Sequence, residues 1–293
     1  MADPGAFGRR RVVVPVNATT RSERALPIGA RLARVMNVPL ALLSVSSGDA
    51  DRAAYHDDLL RSYRDVDAES IIVAAGGSVA GAFASMCSPH DIVCLGVDHT
   101  GAVSELLVGS VFFELVRLFH GPIVAVGPHA TVPDGASRVL ICLDGTAHAE
   151  RGLDLIESFA DPAHLQPFLI QAIGSSRRER EHAADPDVAE TSYLHGVAAA
   201  ILGRDHARRV DVGWDVLHGD AVHAIAATSN EADVAFVGIA TDALNPLTRM
   251  VSPSLANELL RLSARPLVLL SATTRIVRHE VFPRQGADPV ASG

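Results

Sequence analysis

The amino-acid sequence contains an internal repeat, and this repeat limits the fold more than any other feature of the chain. Three separated segments of the first half return in the second half, in the same order and at offsets of 127 to 144 positions. Because both order and spacing are kept, we expect two equivalent structural units, the second with a longer middle. The matched pairs are 11–17 with 138–144, 91–96 with 233–238, and 114–117 with 258–261.

Each unit alternates short apolar runs with helical patterns. The apolar runs of the first unit predict buried β-strands over 11–16, 39–45, 70–75, 91–96 and 122–127. Helical patterns fill the gaps between these strands, over 21–36, 49–65, 79–87 and 109–119. Strands that alternate with helices pair in parallel and carry helices on both faces of the sheet. The fold class we expect is therefore α/β, with two tandem five-stranded parallel-sheet domains.

A break that contains Pro and Gly and shows no periodicity, Ala130–Ala136, separates the two units. The residues after the last predicted strand are typical of a tail that is disordered or packs on the surface. The division we predict is an arm at 1–10, a first domain at 11–130, a linker at 131–137, a second domain at 138–272 and a tail at 273–293.

Composition excludes several classes of function. The chain has 293 residues and a formal net charge of −9, which argues against a general nucleic-acid binder because phosphate neutralisation needs a basic face. All 25 basic residues are Arg, which rules out lysine-dependent phosphate binding and lysine catalysis.

Cysteine usage and hydropathy bear on the location of the protein. Cys94 and Cys142 lie within apolar runs, and Cys87 has no partner at metal-site spacing, which is typical of thiols in a reducing compartment. No stretch approaches the roughly 18 apolar residues of a membrane span. We therefore expect a cytoplasmic protein with neither a membrane partner nor a nucleic-acid partner.

The repeat also carries motif residues of a known family. The second unit has Leu-Asp-Gly-Thr at 143–146 and Glu-Arg-Gly-Leu at 150–153, and the first unit has Gly96 followed by Gly109-Ser110. In these residues, and over nearly its whole length, the chain resembles the universal stress protein family as a tandem two-domain member. The resemblance implies a stress-response protein with parallel sheets of the adenine-nucleotide alpha-hydrolase type. Many members of this family bind ATP at the tips of the first and fourth strands.

Family members commonly join as dimers through their last strands. Here the last strands, 122–127 and 265–271, are short and apolar, and an unpaired apolar edge favours association. The resemblance therefore implies either a homodimer of two chains or an intramolecular pseudo-dimer in which these two strands pair with each other.

The resemblance places an adenine-nucleotide site in the first domain. A glycine at a strand end lets backbone N–H groups face phosphate without a Cβ in the way, and a helix that opens at Gly109-Ser110 would add its amides and dipole. The cofactor we expect is ATP, with Mg²⁺ to offset acidic neighbours, in the first domain alone. The predicted nucleotide-binding residues are Pro15, Asn17, Val45, Gly96, His99, Gly109, Ser110 and Val111.

Both domains depart from the family pattern. His99 stands where the second glycine belongs, and its ring either blocks the phosphate path or donates a hydrogen bond to it. Asn17 replaces the family's Asp at the first strand tip. In the second domain the loop 239–246 is longer, and Pro253 removes an N–H group that would meet phosphate. We therefore expect a degenerate site in the second domain.

The sequence predicts neither a catalytic site nor a metal site. The 13 histidines form no HExxH or Cys/His metal pattern, and Ser44 on a predicted strand has no apparent catalytic partner. The expected function is a binding and regulatory module that is not an enzyme. Two alternatives stay open: a nucleotide-free interaction protein in which both crevices are vestigial, and a slow nucleotide hydrolase that uses His99.

Overall fold

Each half of the chain contributes five strands within the residues that the structure describes. The structure, a computed structural model, describes residues 10–46, 50–74, 76–97, 105–146, 149–174, 188–204, 212–241 and 255–271. The first half forms β1 (Val12–Pro15), α1 (Thr20–Glu23), α2 (Leu26–Met36), β2 (Leu40–Ser46), α3 (Ala50–Leu60), a 3₁₀ turn (Arg61–Tyr63), β3 (Ala68–Ala74), α4 (Val79–Met86), β4 (Ile92–Gly96), α5 (Glu105–Leu118) and β5 (Ile123–Val126). The second half forms β6 (Arg138–Leu143), a 3₁₀ helix (Ala149–Leu153), a π-helical turn (Ile156–Ala160), β7 (Gln166–Ile173), α6 (Val188–Arg204), β8 (Gly213–His218), α7 (Ala221–Ser229), β9 (Val234–Thr241), α8 (Leu255–Leu262) and β10 (Leu267–Ser271).

All ten strands belong to one sheet, in the order β3-β2-β1-β4-β5-β10-β9-β6-β7-β8. Within each half the five strands pair in parallel, and the order of the second half mirrors that of the first. The predicted α/β class and the two equivalent parallel halves are therefore confirmed. The halves are joined into a continuous sheet without being interleaved.

The two halves meet at β5 and β10, which pair antiparallel. Ala125 lies opposite Leu267, and Ile123 lies opposite Leu269. Every residue of β5 is buried, so the pairing removes an apolar edge that would otherwise face solvent. Of the two predicted arrangements, a homodimer and an intramolecular pseudo-dimer, the structure has the second, because the two last strands pair with each other.

Successive apolar side chains of a strand point to opposite faces of the sheet, so each strand contributes to the core on both faces. Val12 and Val14 of β1 pack in a core with α2, and Val13 packs in a core on the opposite face with α4 and α5. Gly29 lets α2 lie close to the sheet, because a Cβ there would stand 2.6 Å from Cγ2 of Val14. Each core continues into the second half across the β5–β10 junction.

The repeat extends to individual turns. Gly77 and Gly219, which match at an offset of 142, both adopt a left-handed φ, of +81° and +108°. Each is followed by a helix cap: the side chain of Ser78 accepts the N–H of Gly81, and that of Asp220 accepts the N–H of His223. In both halves, a left-handed glycine followed directly by a capping side chain therefore precedes the helix after the third strand.

The cysteines occupy the positions expected of core thiols. Cys94 and Cys142 are buried and Cys87 is half-buried, and all three are free. Burial raises the pKa of the Cys87 thiol to about 12, so this thiol stays protonated at neutral pH. Within the described ranges, no helix has the length and apolar character that crossing a membrane requires. The predicted tail, 273–293, lies outside those ranges.

Candidate functional site

The strand order reverses once in each half, and each reversal marks a candidate crevice. In the first half, β2 and β3 lie on one side of β1 while β4 and β5 lie on the other. In the second half the same reversal falls between β6 and β9. Ligands of parallel α/β sheets bind beyond the carboxyl ends of the strands at such a point.

Asn17 lies exposed just beyond the end of β1, on a turn that its own atoms help to hold. Its Oδ1 accepts the hydroxyl of Thr19 at 2.6 Å, and its backbone N–H donates to Oγ of Ser22 at 3.2 Å. Thr19 in turn caps α1. The side-chain NH₂ of Asn17 donates to none of the described residues. Within the described part of the chain, Asn17 therefore presents two unbonded donors at the mouth of the first crevice.

Tyr55 of α3 holds the same turn from the side. Its hydroxyl donates to Oε1 of Glu23 at 2.8 Å and accepts the N–H of Ala18 at 3.2 Å. Burial, reinforced by the Glu23 carboxylate, raises the pKa of Tyr55 to about 12, so the hydroxyl remains a donor. Ala18 has a left-handed φ of +60°, which is uncommon for a residue other than glycine.

Gly96 ends β4 and lies directly against α1. A Cβ at this position would overlap the backbone carbonyl oxygen of Arg21. Glycine is therefore required here by the close approach of α1 to β4. This packing role is independent of any ligand, and it accounts for Gly96 without a phosphate.

The helix that carries Gly109 and Ser110 begins earlier than the sequence predicts. α5 starts at Glu105, which puts Gly109 and Ser110 in its second turn. Backbone N–H groups at these positions bond to carbonyls one turn earlier in the helix. The prediction that Gly109-Ser110 opens the helix and offers free amides to phosphate is therefore wrong. The physical reason is that residues 105–108, Glu-Leu-Leu-Val, include strong helix formers.

The other predicted residues divide into three groups. Pro15 is half-buried at the end of β1, opposite Leu43, and so lies next to Asn17 at the crevice. Val45 and Val111 are half-buried and pack against the core on the α4 and α5 face of the sheet. His99 lies outside the described residues. Nucleotide binding by the predicted set stays a prediction.

The second crevice repeats the geometry of the first. The N–H and the hydroxyl of Thr146 both donate to Oδ1 of Asp144, at 2.9 and 2.6 Å, and Gly145 between them has a φ of +76°. The hydroxyl of Tyr193 on α6 donates to Oε1 of Glu150 at 3.3 Å, as Tyr55 does to its own glutamate. Burial and nearby carboxylates raise the pKa of Tyr193. Pro253 and the loop before it lie outside the described residues.

A buried chain of hydrogen bonds, which sequence reasoning missed, lies beside the first crevice. The hydroxyl of Ser44 donates to the carbonyl of Val16 at 2.6 Å, so Nε2–H of His56 must be the donor in the 2.7 Å bond to Ser44 Oγ. Nδ1 of His56 then accepts the hydroxyl of Ser70 at 2.7 Å. Twelve positions separate Ser44 from His56, and no sequence motif links them.

This Ser–His pair supports structure and cannot act as a nucleophile and base. Ser44 is 1% exposed and His56 is 0% exposed, so no substrate reaches either group. Burial also lowers the pKa of His56, with Arg52 adding to the effect. Among the residues that the structure describes, no three His, Cys, Asp or Glu side chains are grouped to hold a metal ion.

Comparisons with known proteins place the fold. No model of a protein family matches the chain, and no curated protein does. The chain is similar to a universal stress protein from Archaeoglobus fulgidus DSM 4304, with a TM-score of 0.60 and 17% identity over 90% of this chain and 97% of that one. It is also similar to a functionally unknown protein from Pseudomonas aeruginosa PAO1, with a TM-score of 0.58 and 16% identity over 92% of this chain and 95% of that one.

A third structure shares this fold in a different setting. The cytoplasmic domain of a prokaryotic cation chloride cotransporter matches with a TM-score of 0.56 and 10% identity, over 90% of this chain and 96% of that one. At these identities the comparisons establish the fold and leave function open. The resemblance seen in the sequence is thus confirmed at the level of the fold, which is that of a two-domain universal stress protein.

Proposed function

We propose that this chain is a binding and regulatory module of the universal stress type that catalyses no reaction. The observation that carries the proposal is the exposed turn at Asn17 and at Asp144, each placed where the strand order reverses. Ligands of such sheets bind at this point. The one Ser–His pair described above, Ser44 with His56, is too buried to catalyse a reaction on a substrate.

We further propose that the ligand is an adenine nucleotide and that it binds in the first crevice. The family resemblance supplies the ligand class. The side-chain NH₂ of Asn17, which donates to none of the described residues, supports the first crevice. A base or ribose offers the acceptors that such an amide recognises. The amides of Gly109 and Ser110 are used within α5, so we expect weak binding, with a dissociation constant on the order of 0.1 mM or more.

Titration with Mg-ATP tests the crevice. Asn17→Ala removes the free donors, and we expect it to weaken binding about tenfold, which corresponds to one or two lost hydrogen bonds. Asp144→Ala, the matched change at the second crevice, should leave binding within about twofold of the wild type. Equal effects of the two changes would contradict the assignment to the first crevice. Melting temperatures of both variants show whether each remains folded.

A second arm tests His99. If its ring obstructs the phosphate path, His99→Gly should raise affinity several-fold, or by about 1 kcal/mol. Weaker binding by His99→Gly would instead identify the imidazole as a ligand contact. Pro253→Gly in the second domain should change little. Tight binding created by that change would identify the second crevice as the better site. Sustained ATP turnover that His99→Ala abolishes would favour a slow hydrolase and overturn the non-enzymatic proposal.

The second candidate function is a nucleotide-free interaction module. Two observations favour it. Gly96 is explained by its close contact with α1, and the amides of Gly109 and Ser110 are hydrogen-bonded within α5 because this helix begins at Glu105. The purified protein decides between the two candidates. ATP released on denaturation, together with saturable titration, supports the nucleotide site. Absence of both supports the interaction module.

A further inference from the structure

A cavity lies where the two halves meet, and it shares no lining residue with either crevice. Its volume is about 170 Å³. One wall is α2 of the first half, and the facing walls come from the segment before β6, the segment before β7 and the start of β9. The lining residues that bear on its chemistry are Arg31, Val35, Val132, His164, Leu165 and Phe236.

We propose that this cavity binds a small planar organic anion: a single aromatic ring inside the cavity, with its carboxylate on Arg31. This site goes beyond the proposed function, since it lies away from both strand tips. The size fits one ring, because an engineered apolar cavity of about 150 Å³ holds benzene. A nucleotide is larger than this volume and would extend well outside the cavity.

The walls favour an apolar body. Val132, Leu165 and Phe236 line the interior, and Phe236 is 3% exposed. Val35 on α2 is 41% exposed, which is high for a large apolar side chain. A ring bound against it would remove this surface from water. Because the walls belong to both halves, such a ligand would also contact both halves.

Arg31 supplies the charge at the edge of the cavity. Its Nη1 donates to the carbonyl oxygens of Val132 and Pro133, at 2.9 and 3.1 Å, which fixes the plane of the guanidinium. Nε and Nη2 donate to none of the described residues. A planar guanidinium with a free edge matches a carboxylate. Asp134 lies 3.8 Å from Nη1, but its side chain is fully exposed, so water screens this pair.

His164 also lines the cavity. It is exposed and lies, with a left-handed φ of +54°, in the turn before β7. An imidazole can donate a second hydrogen bond to a carboxylate. The cavity therefore combines an apolar interior with donors at its edge, which is the pattern of a small-ligand site.

The test uses benzoate as the probe and benzyl alcohol as its neutral match, in an NMR titration of the full chain. We expect benzoate to bind with a dissociation constant on the order of 1 mM and to shift methyl signals of Val35, Val132 and Leu165. Arg31→Gln should weaken benzoate binding about tenfold and leave benzyl alcohol unchanged. Arg34→Gln is the matched control, since Arg34 is on the same helix but pairs with Asp65 outside the cavity. It should change neither probe.

Two filling variants locate the site. Val35→Trp changes an exposed position and should remain folded, and Ala163→Leu adds bulk to a buried lining residue. Both should abolish benzoate binding. Three results would overturn the proposal: no benzoate binding by the wild type, equal affinity for benzoate and benzyl alcohol, or benzoate binding that survives Val35→Trp. Equal affinity would indicate an apolar cleft suited to a partner's side chain.

Discussion

The two halves share one fold but attach the helix between their second and third strands to the sheet by opposite chemistry. In the first half, His56 of α3 lies between Ser44 and Ser70 and bonds to both. In the second half, Leu194 of α6 takes the equivalent place, is 0% exposed, and packs in an apolar cluster that includes Trp214.

The equivalence of these positions follows from the strand register and from the tyrosines. Tyr55 directly precedes His56, and Tyr193 directly precedes Leu194. Each tyrosine donates a hydrogen bond to the glutamate that follows the first strand of its own half. Ser70 lies opposite Leu42 of β2, and Trp214 lies opposite Leu169 of β7, which matches Leu42 at the repeat offset of 127.

The difference teaches that the fold specifies where a helix docks, while the docking chemistry is free to change. A fully bonded polar chain and an apolar cluster both fill the space between helix and sheet. We expect them to respond differently to acid, because the polar chain is built on a buried histidine and the apolar cluster contains none. The predictions that follow each compare one half with the other.

The largest effect should come from the glycines of the fourth strands. A Cβ at Gly96 would overlap a backbone oxygen of Arg21, whereas a Cβ at Gly238 would stand 2.6 Å from Cδ1 of Leu155, a side-chain tip that can move. We expect Gly96→Ala to lower the free energy of unfolding by about 3 kcal/mol and Gly238→Ala by about 1 kcal/mol. Urea denaturation measures both. A smaller loss at Gly96 than at Gly238 would contradict the packing role of Gly96.

Acid should weaken the first half through His56. Burial lowers the pKa of His56 below that of the unfolded chain, so the unfolded state takes up the proton first as the pH falls. The contribution of neutral His56 is therefore complete above about pH 6.5 and is lost below it, with a slope of at most about 1.4 kcal/mol per pH unit.

The matched variant is His56→Leu, which installs the residue type of the second half. Its unfolding free energy, measured from pH 8 to pH 5, should fall less on acidification than that of the wild type. The other histidines are present in both proteins, so the difference between the two curves isolates His56. Parallel curves would show that His56 does not titrate in this range.

The two tyrosines should contribute unequally. Tyr55 makes two hydrogen bonds, at 2.8 and 3.2 Å, and Tyr193 makes one to Glu150 at 3.3 Å. We expect Tyr55→Phe to reduce the unfolding free energy by about 1.5 kcal/mol and Tyr193→Phe by about 0.5 kcal/mol. Double-mutant cycles with Glu23→Gln and Glu150→Gln measure each pair. A larger coupling in the second half would reverse the ranking inferred from the distances.

The last comparison concerns the turn after the first strand. Ala18 has a φ of +60° where the second half has Gly145 with a φ of +76°. Exchanging the residue types should affect the two halves differently. Gly145→Ala should lower the free energy of unfolding by about 1 kcal/mol, and Ala18→Gly should leave it unchanged or raise it by about 0.5 kcal/mol. Thermal unfolding of both variants is the measurement. Marked destabilisation by Ala18→Gly would show that the methyl group of Ala18 contributes packing.

The candidate site was only partly accessible to sequence reasoning. Asn17 and Pro15 were placed correctly at the first strand tip, because a strand end and its turn can be recognised locally. The start of α5 was predicted wrongly. The family motif indicates a start at Gly109, whereas residues 105–108 favour a longer helix that begins at Glu105. The bonds of His56 were missed because Ser44, His56 and Ser70 come together only when α3 packs across β2 and β3.

The sequence by itself determined the two equivalent halves, their parallel strands and the apolar character of the joining edges. These features follow from repeats and from the period of apolar residues, which are properties of neighbouring positions. The tertiary structure alone decided that Gly96 serves α1, that His56 is buried, and that a cavity with Arg31 at its edge lies between the halves. Each of these depends on how closely two elements approach, a distance set by the packing of side chains far apart in the chain.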